Sequence, residues 1–210
     1  ATITKHNRFP ENTKGALSDD LSPIIWEDAS VGTAWLIAPG YLVTNQHVVA
    51  KSEKIAILDA KGRTLETTLV ASDAQHDIAI LRLHDLMQTP PVLPLAQAVA
   101  RLGSEVFTIG FPRVDVLGRT PKLSAGLISS VNGLSDDPSS YQLSLSIQSG
   151  NSGGPLINMK GEVVGLITSM LGFYDPATGK TEPLPNISYA LKISLVRDLL
   201  DSLPETIRDD

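Results

Sequence analysis

The chain has 210 residues, of which 42% are hydrophobic and 19% charged, and its net charge is −6. This composition is typical of a globular protein, and the negative charge argues against nucleic acid or an anionic membrane as the main partner. No apolar run approaches the length that crosses a bilayer, so no membrane span is predicted. The absence of cysteine excludes disulfides, thiol chemistry and cysteine-bound zinc.

Residues 1–20 are polar and rich in turn formers, and we interpret them as an extended lead-in. Short apolar or alternating runs follow, separated by breakers such as Pro39-Gly40, and they predict six strands in the first half. These candidate strands cover residues 21–27, 32–38, 41–45, 54–59, 63–73 and 77–83. The segment 89–103 is interpreted as a linker, which divides the chain into units of residues 21–103 and 104–210.

The second half contains six more candidate strands and one helix. The strands cover residues 105–111, 122–131, 141–147, 154–158, 163–170 and 187–193, with a hairpin turn at 158–161. In the helix that follows, Val196 and Leu200 share an apolar face, Ser194 is the expected N-cap, and Pro204 ends the helix. The predicted fold is therefore all-β, with two six-stranded antiparallel β-barrels that form one unit and a C-terminal α-helix.

The stretch "GNSGGP", residues 150–155, surrounds Ser152 with glycine. Such a serine occurs in surface turns, in the nucleophile elbow of α/β-hydrolases, and in serine proteases whose backbone amides form an oxyanion hole. The elbow requires a helix after the serine and a later histidine, whereas Pro155 and a hairpin follow here and every histidine precedes Ser152. The subtilisin order is also disfavoured, because that fold needs parallel strands with crossover helices.

The candidate residues occur in the order His47, Asp77, Ser152, which is the chymotrypsin order. His47 lies in "TNQHVV" just after an apolar strand, and Asp77 begins the apolar strand "DIAIL". Two of these residues on one barrel and the third on the other would place the site in the cleft between the barrels. The histidines form no His-Glu-x-x-His pattern, so no zinc site is predicted, and no metal or other cofactor is implied.

Two neighbouring residues compete for the same roles, since His76 is an alternative to His47 and Asp73 to Asp77. Asp77 heads the strand and is expected to point inward, so the adjacent His76 is expected to point outward. The two remaining histidines lie in the lead-in and at a strand end. We therefore favour His47 and Asp77.

The blocks around His47 and Asp77 resemble the trypsin-like, chymotrypsin-fold serine protease superfamily. The same resemblance extends to "GTAWLIAPGYLVTNQHVV", "EVFTIGFP", "LSAGLISSV" and "GNSGGPLINMKGEVVGLIT". Within this superfamily, residues 22–200 are most similar to the bacterial HtrA/Deg protease domain. The resemblance implies a serine endopeptidase that works through an acyl-enzyme, with Ser152 as nucleophile, His47 as base and Asp77 orienting His47. The amides of Gly150 and Ser152 would form the oxyanion hole.

The resemblance also implies a substrate site. Thr168, Ser169 and Met170 would form the strand that pairs with substrate backbone. Enzymes that cleave after Lys or Arg carry an aspartate where this chain has Ser146, so we expect a small or medium apolar P1 residue. Asn151 stands where relatives activated by proteolysis carry an aspartate, so no such activation is expected.

Partners and compartment follow from the resemblance alone. We expect polypeptide substrates, a trimeric assembly and a bacterial periplasmic or other extracytoplasmic location, with no PDZ domain encoded in this chain. The segments 132–140 and 172–186 are interpreted either as loops that shape the active site or as solvated connectors. The alternative function is a catalytically silent or latent peptide-binding module that kept the barrels without turnover.

Overall fold

The structure is a computed structural model that describes residues 2–6, 31–50, 54–59, 63–84, 91–112, 118, 120–175 and 180–204. The strands of the first half are β1 (Thr2–His6), β2 (Val31–Thr33), β3 (Trp35–Ala38), β4 (Tyr41–Thr44), β5 (Lys54–Leu58), β6 (Thr64–Asp73) and β7 (Ile78–Leu83). Those of the second half are β8 (Glu105–Gly110), β9 (Lys122–Ser130), β10 (Ser140–Leu143), β11 (Pro155–Asn158), β12 (Val163–Asp175) and β13 (Lys180–Lys192). The helices are α1 (Gln46–Val49), a 3₁₀ turn (Leu134–Asp136) and α2 (Ile193–Asp201).

The first half forms a seven-stranded antiparallel sheet in the order β2-β1-β5-β6-β7-β4-β3. Strand β7 is apolar along most of its length because successive side chains point to opposite faces, and both faces are covered. Ile78 and Ile80 pack into one hydrophobic cluster, and Ala79 and Leu81 pack into another. This sheet carries His47 and Asp77 near one end of β7.

The second half closes into a six-stranded antiparallel barrel in the order β10-β13-β12-β11-β8-β9. Its interior is filled by apolar side chains from all six strands, among them Val106, Ile128, Leu143, Leu156, Ile167 and Ala190. Asn158 and Gly161 close the predicted hairpin turn, since the Gly161 N–H donates to the Asn158 carbonyl at 3.0 Å. The arrangement confirms the predicted all-β fold class. The first half differs from the expected six-stranded barrel in having seven described strands, because residues 2–6 add β1 and the predicted strand 32–38 divides into β2 and β3.

The hydrophobic cluster that contains Ile78 and Ile80 lies between the two halves and extends to the C-terminal helix. It combines Trp35 and Ile80 of the first half with Leu166 of the second and with Val196 of α2, which is fully buried. Because apolar surface from both halves is buried together, the two halves support each other. Among the described residues, no helix is long and apolar enough to cross a membrane.

The C-terminal helix is present, but its predicted cap is wrong. Helix α2 begins at Ile193, and Lys192 occupies the N-cap position in an extended conformation without a side-chain capping bond. Lys192 still belongs to strand β13, so the strand runs directly into the helix and places Ser194 inside the first turn. A strand-to-helix junction of this kind leaves no loop residue to act as a cap.

Two predicted boundaries are also wrong. The strand predicted over 141–147 ends at Leu143, because serine hydroxyls then bond the main chain, as Ser188 Oγ does to the Leu145 carbonyl at 2.8 Å. The predicted loop 172–186 is largely strand, since β12 reaches Asp175 and β13 starts at Lys180. Residues 2–6 of the expected lead-in form β1, whereas the candidate strand 21–27 lies outside the described residues.

Candidate active site

The register between β4 and β7 brings His47 and Asp77 together at one end of these two strands. These strands are antiparallel, and Thr44 at the end of β4 lies opposite Ala79 near the start of β7. The residues that follow Thr44 therefore lie beside the residues that precede Ala79. Helix α1 turns the chain immediately after β4 and presents the His47 side chain, which is half exposed at 51%.

Asp77 binds both the ring and the main chain of His47. The His47 Nδ1 atom lies 2.7 Å from Asp77 Oδ2, and the His47 N–H donates to Asp77 Oδ1 at 2.8 Å. On the other side, Asn45 Nδ2 donates to the Asp77 carbonyl at 2.9 Å. A proton on Nδ1 facing the carboxylate leaves Nε2 as the basic nitrogen of the neutral ring.

Asp77 adopts an unusual backbone conformation and an ionised state. Its φ is 55°, in the left-handed region that non-glycine residues rarely adopt. Burial raises the pKa of the Asp77 carboxyl, but hydrogen bonds from His47 and from the Thr168 hydroxyl outweigh burial and hold that pKa below its usual value. Asp77 is therefore a carboxylate at neutral pH, charged and aimed at the imidazole.

Thr168 links this pair to Ser152. The Thr168 hydroxyl donates to Asp77 Oδ2 at 2.9 Å, and the Thr168 carbonyl accepts a hydrogen bond from Ser152 Oγ at 3.0 Å. Thr168 lies where the register between β12 and β13 shifts, with Ile167 opposite Ala190 and Ser169 opposite Tyr189. The bulge re-aims the Thr168 side chain, and the bond to Asp77 was not predicted because a bulge leaves no mark in the sequence.

The main chain before Ser152 forms a tight turn. The Asn151 N–H donates to the Gln148 carbonyl at 3.0 Å, and Gly150, the third residue of that turn, has a φ of 100°. This geometry matches a type II turn, which places a glycine at its third position. The Gly153 N–H then donates to the Ile167 carbonyl at 2.8 Å and ties residues 148–154, here called the serine loop, to β12.

The competing residues pair with each other instead. His76 Nδ1 lies 2.6 Å from Asp73 Oδ2, and Asp73 Oδ1 accepts the main-chain N–H of Gln75 at 2.9 Å. His84 is exposed and follows the last residue of β7, and its Nε2 lies 2.5 Å from Thr68 Oγ1. Neither pair joins the group around Asp77.

The predicted substrate residues are described in part. Ser146 is exposed, and its carbonyl accepts a hydrogen bond from Ser124 Oγ at 2.6 Å. The main chains of Ser169 and Met170 pair with Tyr189 and Ser188 of β13, while their side chains lie outside the described residues. The described pairs of β12 with β11 end at Leu166, so the strand segment at Thr168 faces no described strand on that side.

Comparison with known proteins reveals extensive similarity. The family model for the trypsin-like peptidase domain matches residues 32–166. The serine endoprotease DegS of Escherichia coli K12 is 34% identical over 174 residues, covering 81% of this chain and 46% of DegS. The periplasmic pH-dependent serine endoprotease DegQ of the same strain is 29% identical over 211 residues, covering 96% of this chain and 44% of DegQ.

Solved structures show the same fold. The serine endoprotease from Yersinia pestis matches with a TM-score of 0.68 and 28% identity, covering 100% of this chain and 63% of that one. A protease from M. tuberculosis in its active form matches with a TM-score of 0.67 and 25% identity, covering 95% of this chain and 78% of that one. The chain spans only 26% to 46% of the length of the curated relatives that it matches.

Proposed function

The chain belongs to the trypsin-like peptidase family and is a serine protease domain of the HtrA/Deg type, and we propose that it hydrolyses peptide bonds through an acyl-enzyme. The observation that carries this proposal is the 2.7 Å contact between His47 Nδ1 and Asp77 Oδ2, linked through Thr168 to Ser152. An imidazole oriented by a carboxylate beside a serine hydroxyl is the arrangement that activates a serine nucleophile.

In the proposed acylation step, Ser152 Oγ attacks the carbonyl carbon of the scissile peptide bond and transfers its proton to His47 Nε2. The step requires the Ser152 hydroxyl to rotate from the Thr168 carbonyl toward His47. The C–N bond of the tetrahedral intermediate then breaks, and Nε2 returns the proton to the departing amine. In deacylation, a water molecule loses a proton to Nε2 and attacks the ester carbonyl carbon. The C–Oγ bond then breaks, Nε2 returns the proton to Ser152 Oγ, and the acid product leaves.

The oxyanion of each tetrahedral intermediate would be bound by the N–H groups of Gly150 and Ser152. The type II turn at 148–151 supports this assignment, because the turn type sets which way the central Ser149–Gly150 peptide faces. Loss of one of these N–H donors should lower kcat by a factor of about 10²–10³. Asp77 would hold the His47 tautomer and stabilise the imidazolium formed in each step.

We assign polypeptide substrates that add a strand beside Thr168, Ser169 and Met170. The side of β12 that faces no described strand supports this mode, because an extended peptide can bond to main-chain groups there once Ser152 Oγ leaves the Thr168 carbonyl. The exposed, uncharged Ser146 favours a small or medium apolar P1 residue over Lys or Arg. A cleavage profile on a peptide library measures this preference directly.

The proposal includes a compartment and an assembly. Relatives named as periplasmic endoproteases support an extracytoplasmic location. We further propose a homotrimer, which analytical ultracentrifugation tests.

A fluorophosphonate probe, which reacts with an activated serine, tests the nucleophile. Wild type should be labelled, and Ser152→Ala and His47→Ala should not. Ser149→Ala, which removes an exposed hydroxyl in the same turn, should be labelled like wild type and serves as the matched control. Ser152→Ala should also lower kcat by about 10⁶. Labelling of Ser152→Ala would assign the nucleophile to another residue.

The alternative of a latent or silent peptide-binding module is favoured by one observation, the donation of the Ser152 hydroxyl to Thr168 rather than to His47. An unlabelled wild-type protein whose circular dichroism shows an intact β fold would support that alternative. Labelled wild type excludes it.

A further inference from the structure

Thr33 connects the first half of the molecule to the serine loop. It ends strand β2, it is 2% exposed, and it lies 117 residues from Gly150 in the sequence. Its hydroxyl donates to the Gly150 carbonyl at 2.7 Å, and its main-chain N–H donates to the Ser152 carbonyl at 2.8 Å. Thr33 was not predicted to be a site residue, because contacts over such a separation have no local signature.

The Thr33 hydroxyl is oriented by a second hydrogen bond. The Phe111 N–H donates to Thr33 Oγ1 at 3.2 Å. The hydroxyl oxygen thus accepts one hydrogen bond, and its single proton is directed at the Gly150 carbonyl. The Thr33 carbonyl is held in turn by Thr44 Oγ1 at 2.9 Å. Thr33 is thus fixed from both the first half and the second.

Thr33 holds the two carbonyls that flank the Ser152 amide. The Gly150 carbonyl belongs to the peptide before Asn151, and the Ser152 carbonyl belongs to the peptide after Ser152. The Asn151–Ser152 peptide lies between these two anchored groups, so the direction of the Ser152 N–H depends on both anchors. The first anchor also fixes the exit of the chain from Gly150, whose φ of 100° defines the turn.

The packing around Thr33 permits these contacts only where side chains are absent. A Cβ at Gly153 would lie 2.3 Å from the Thr33 carbonyl oxygen, and a Cβ at Gly110 would lie 3.1 Å from Thr33 Oγ1. A Cβ at Gly32 would lie 3.0 Å from the Ser152 carbonyl oxygen. Glycine has no Cβ, so at these three positions the neighbouring main chain can come close to Thr33 and to the Ser152 carbonyl.

We propose that Thr33 is a positioning residue for the oxyanion hole, holding the Gly150 and Ser152 amides in place across the boundary between the two halves. This inference rests on the proposed endopeptidase function. Thr33 does not touch the reacting atoms; it acts through the main chain of the serine loop. Its removal should therefore weaken binding of the tetrahedral intermediate more than binding of the substrate.

The test compares variants that keep or remove the hydroxyl. Thr33→Val removes it at nearly constant shape, Thr33→Ser keeps it, and Tyr141→Phe removes a different buried hydroxyl, which accepts the Ala100 N–H inside the second barrel. Each is assayed for kcat and KM on a fluorogenic peptide that wild type cleaves, for inhibition by a peptide aldehyde of the same sequence, and for thermal unfolding. Thr33→Ala repeats the measurement if Thr33→Val does not fold.

Thr33→Val should lower kcat at least about tenfold with KM within about twofold, and should weaken aldehyde inhibition by a similar factor. Thr33→Ser should restore kcat to within about threefold of wild type, and Tyr141→Phe should lower the melting temperature while kcat stays near wild type. The inference is overturned if the valine variant melts lower with unchanged kcat, if serine does not restore kcat, or if Tyr141→Phe loses as much kcat. If wild type itself neither cleaves peptides nor reacts with the fluorophosphonate, the proposed function fails first.

Discussion

At the scale of single residues, Asp77 combines a strained backbone with a partly buried charge, and both serve to hold its carboxylate against His47. Its backbone is in the left-handed region, its side chain is 27% exposed, and its carboxylate receives hydrogen bonds from His47 and Thr168. Strained backbone at a non-glycine residue persists only where surrounding contacts hold it. Here the bond from Asn45 Nδ2 to the Asp77 carbonyl supplies one such contact.

Asp77→Asn should separate the electrostatic role of this residue from its packing. An asparagine amide facing His47 Nδ1 favours the wrong imidazole tautomer, so kcat should fall by about 10⁴ with a much smaller change in KM. Steady-state kinetics on a peptide substrate measures both values.

The same variant should change how stability depends on pH. Because the pKa of Asp77 is lower in the folded protein than in the unfolded chain, the folded state binds fewer protons in acid and is stabilised as the pH rises. That contribution is complete above the unfolded pKa of about 3.9 and disappears as the pH falls through the lower folded value. Urea unfolding should therefore show a wider stability gap between wild type and Asp77→Asn at about pH 6 than at about pH 3.

Asp137→Asn is the matched control for this measurement. Hydrogen bonds from Ser139 hold the pKa of Asp137 below its usual value, so this variant should show a pH-dependent stability gap of the same sign. Asp137 lies outside the group around His47, and kcat should remain near wild type. A constant stability gap for Asp77→Asn across this pH range would contradict the assignment of a depressed pKa.

At the scale of elements, the turn between β6 and β7 determines where Asp77 points. Asp73 caps this turn by accepting the N–H groups of Gln75 and His76 at 2.9 and 3.1 Å, and the His76 ring closes over the same carboxylate at 2.6 Å. Asp73, which the sequence offered as an alternative to Asp77, therefore stabilises the turn that leads into Asp77.

Asp73→Ala should loosen this turn. Loss of the capping bonds should destabilise the protein by about 1–2 kcal/mol and lower kcat, because Asp77 loses the turn that holds its φ of 55°. Gln75→Ala, which removes an exposed side chain and keeps the main-chain bond to Asp73, should leave both properties near wild type. Equal effects of the two substitutions, measured by urea unfolding and peptide hydrolysis, would argue against a capping role.

Sequence patterns predicted the elements better than their ends. The apolar runs predicted β4 and β7. The pairing of His47 with Asp77 was predicted from the chymotrypsin order and the family resemblance, because the register between the two strands is set by tertiary pairing. The strand predicted over 141–147 was too long, since period-2 alternation continues where serine hydroxyls replace the ladder. The contacts of Thr168 and Thr33 could not be predicted, because a bulge and a long-range hydrogen bond depend on tertiary placement rather than on local pattern.

At the scale of the whole molecule, the serine loop is packed between the two halves rather than projecting from one of them. Thr33 of the first half bonds the Ser152 main chain, and Ile167 of the second half accepts the Gly153 N–H. The hydrophobic cluster that includes Trp35, Leu166 and Val196 lies between the same halves. The geometry of the candidate site therefore depends on how the halves fit together.

Two glycines with the same backbone conformation separate the effect of strain from the effect of this packing. Gly153 and Gly161 have φ values of 82° and 81°, but a Cβ at Gly153 would lie 2.3 Å from the Thr33 carbonyl oxygen, whereas a Cβ at Gly161 would meet nothing within 4 Å. Gly161→Ala should cost about 1–2 kcal/mol of unfolding free energy, from the left-handed conformation alone. Gly153→Ala must also push the two halves apart and should cost at least about 3 kcal/mol more.

Urea unfolding of both variants measures the two costs under the same conditions. Gly153→Ala should in addition abolish fluorophosphonate labelling at conditions where the protein remains folded, because displacement of Thr33 moves the Gly150 and Ser152 main chain. Gly161→Ala, in the hairpin turn far from Ser152 along β11, should be labelled like wild type. Similar costs for the two substitutions would mean that the boundary between the halves adapts to an added methyl group, and the serine loop would then not depend on a fixed fit between them.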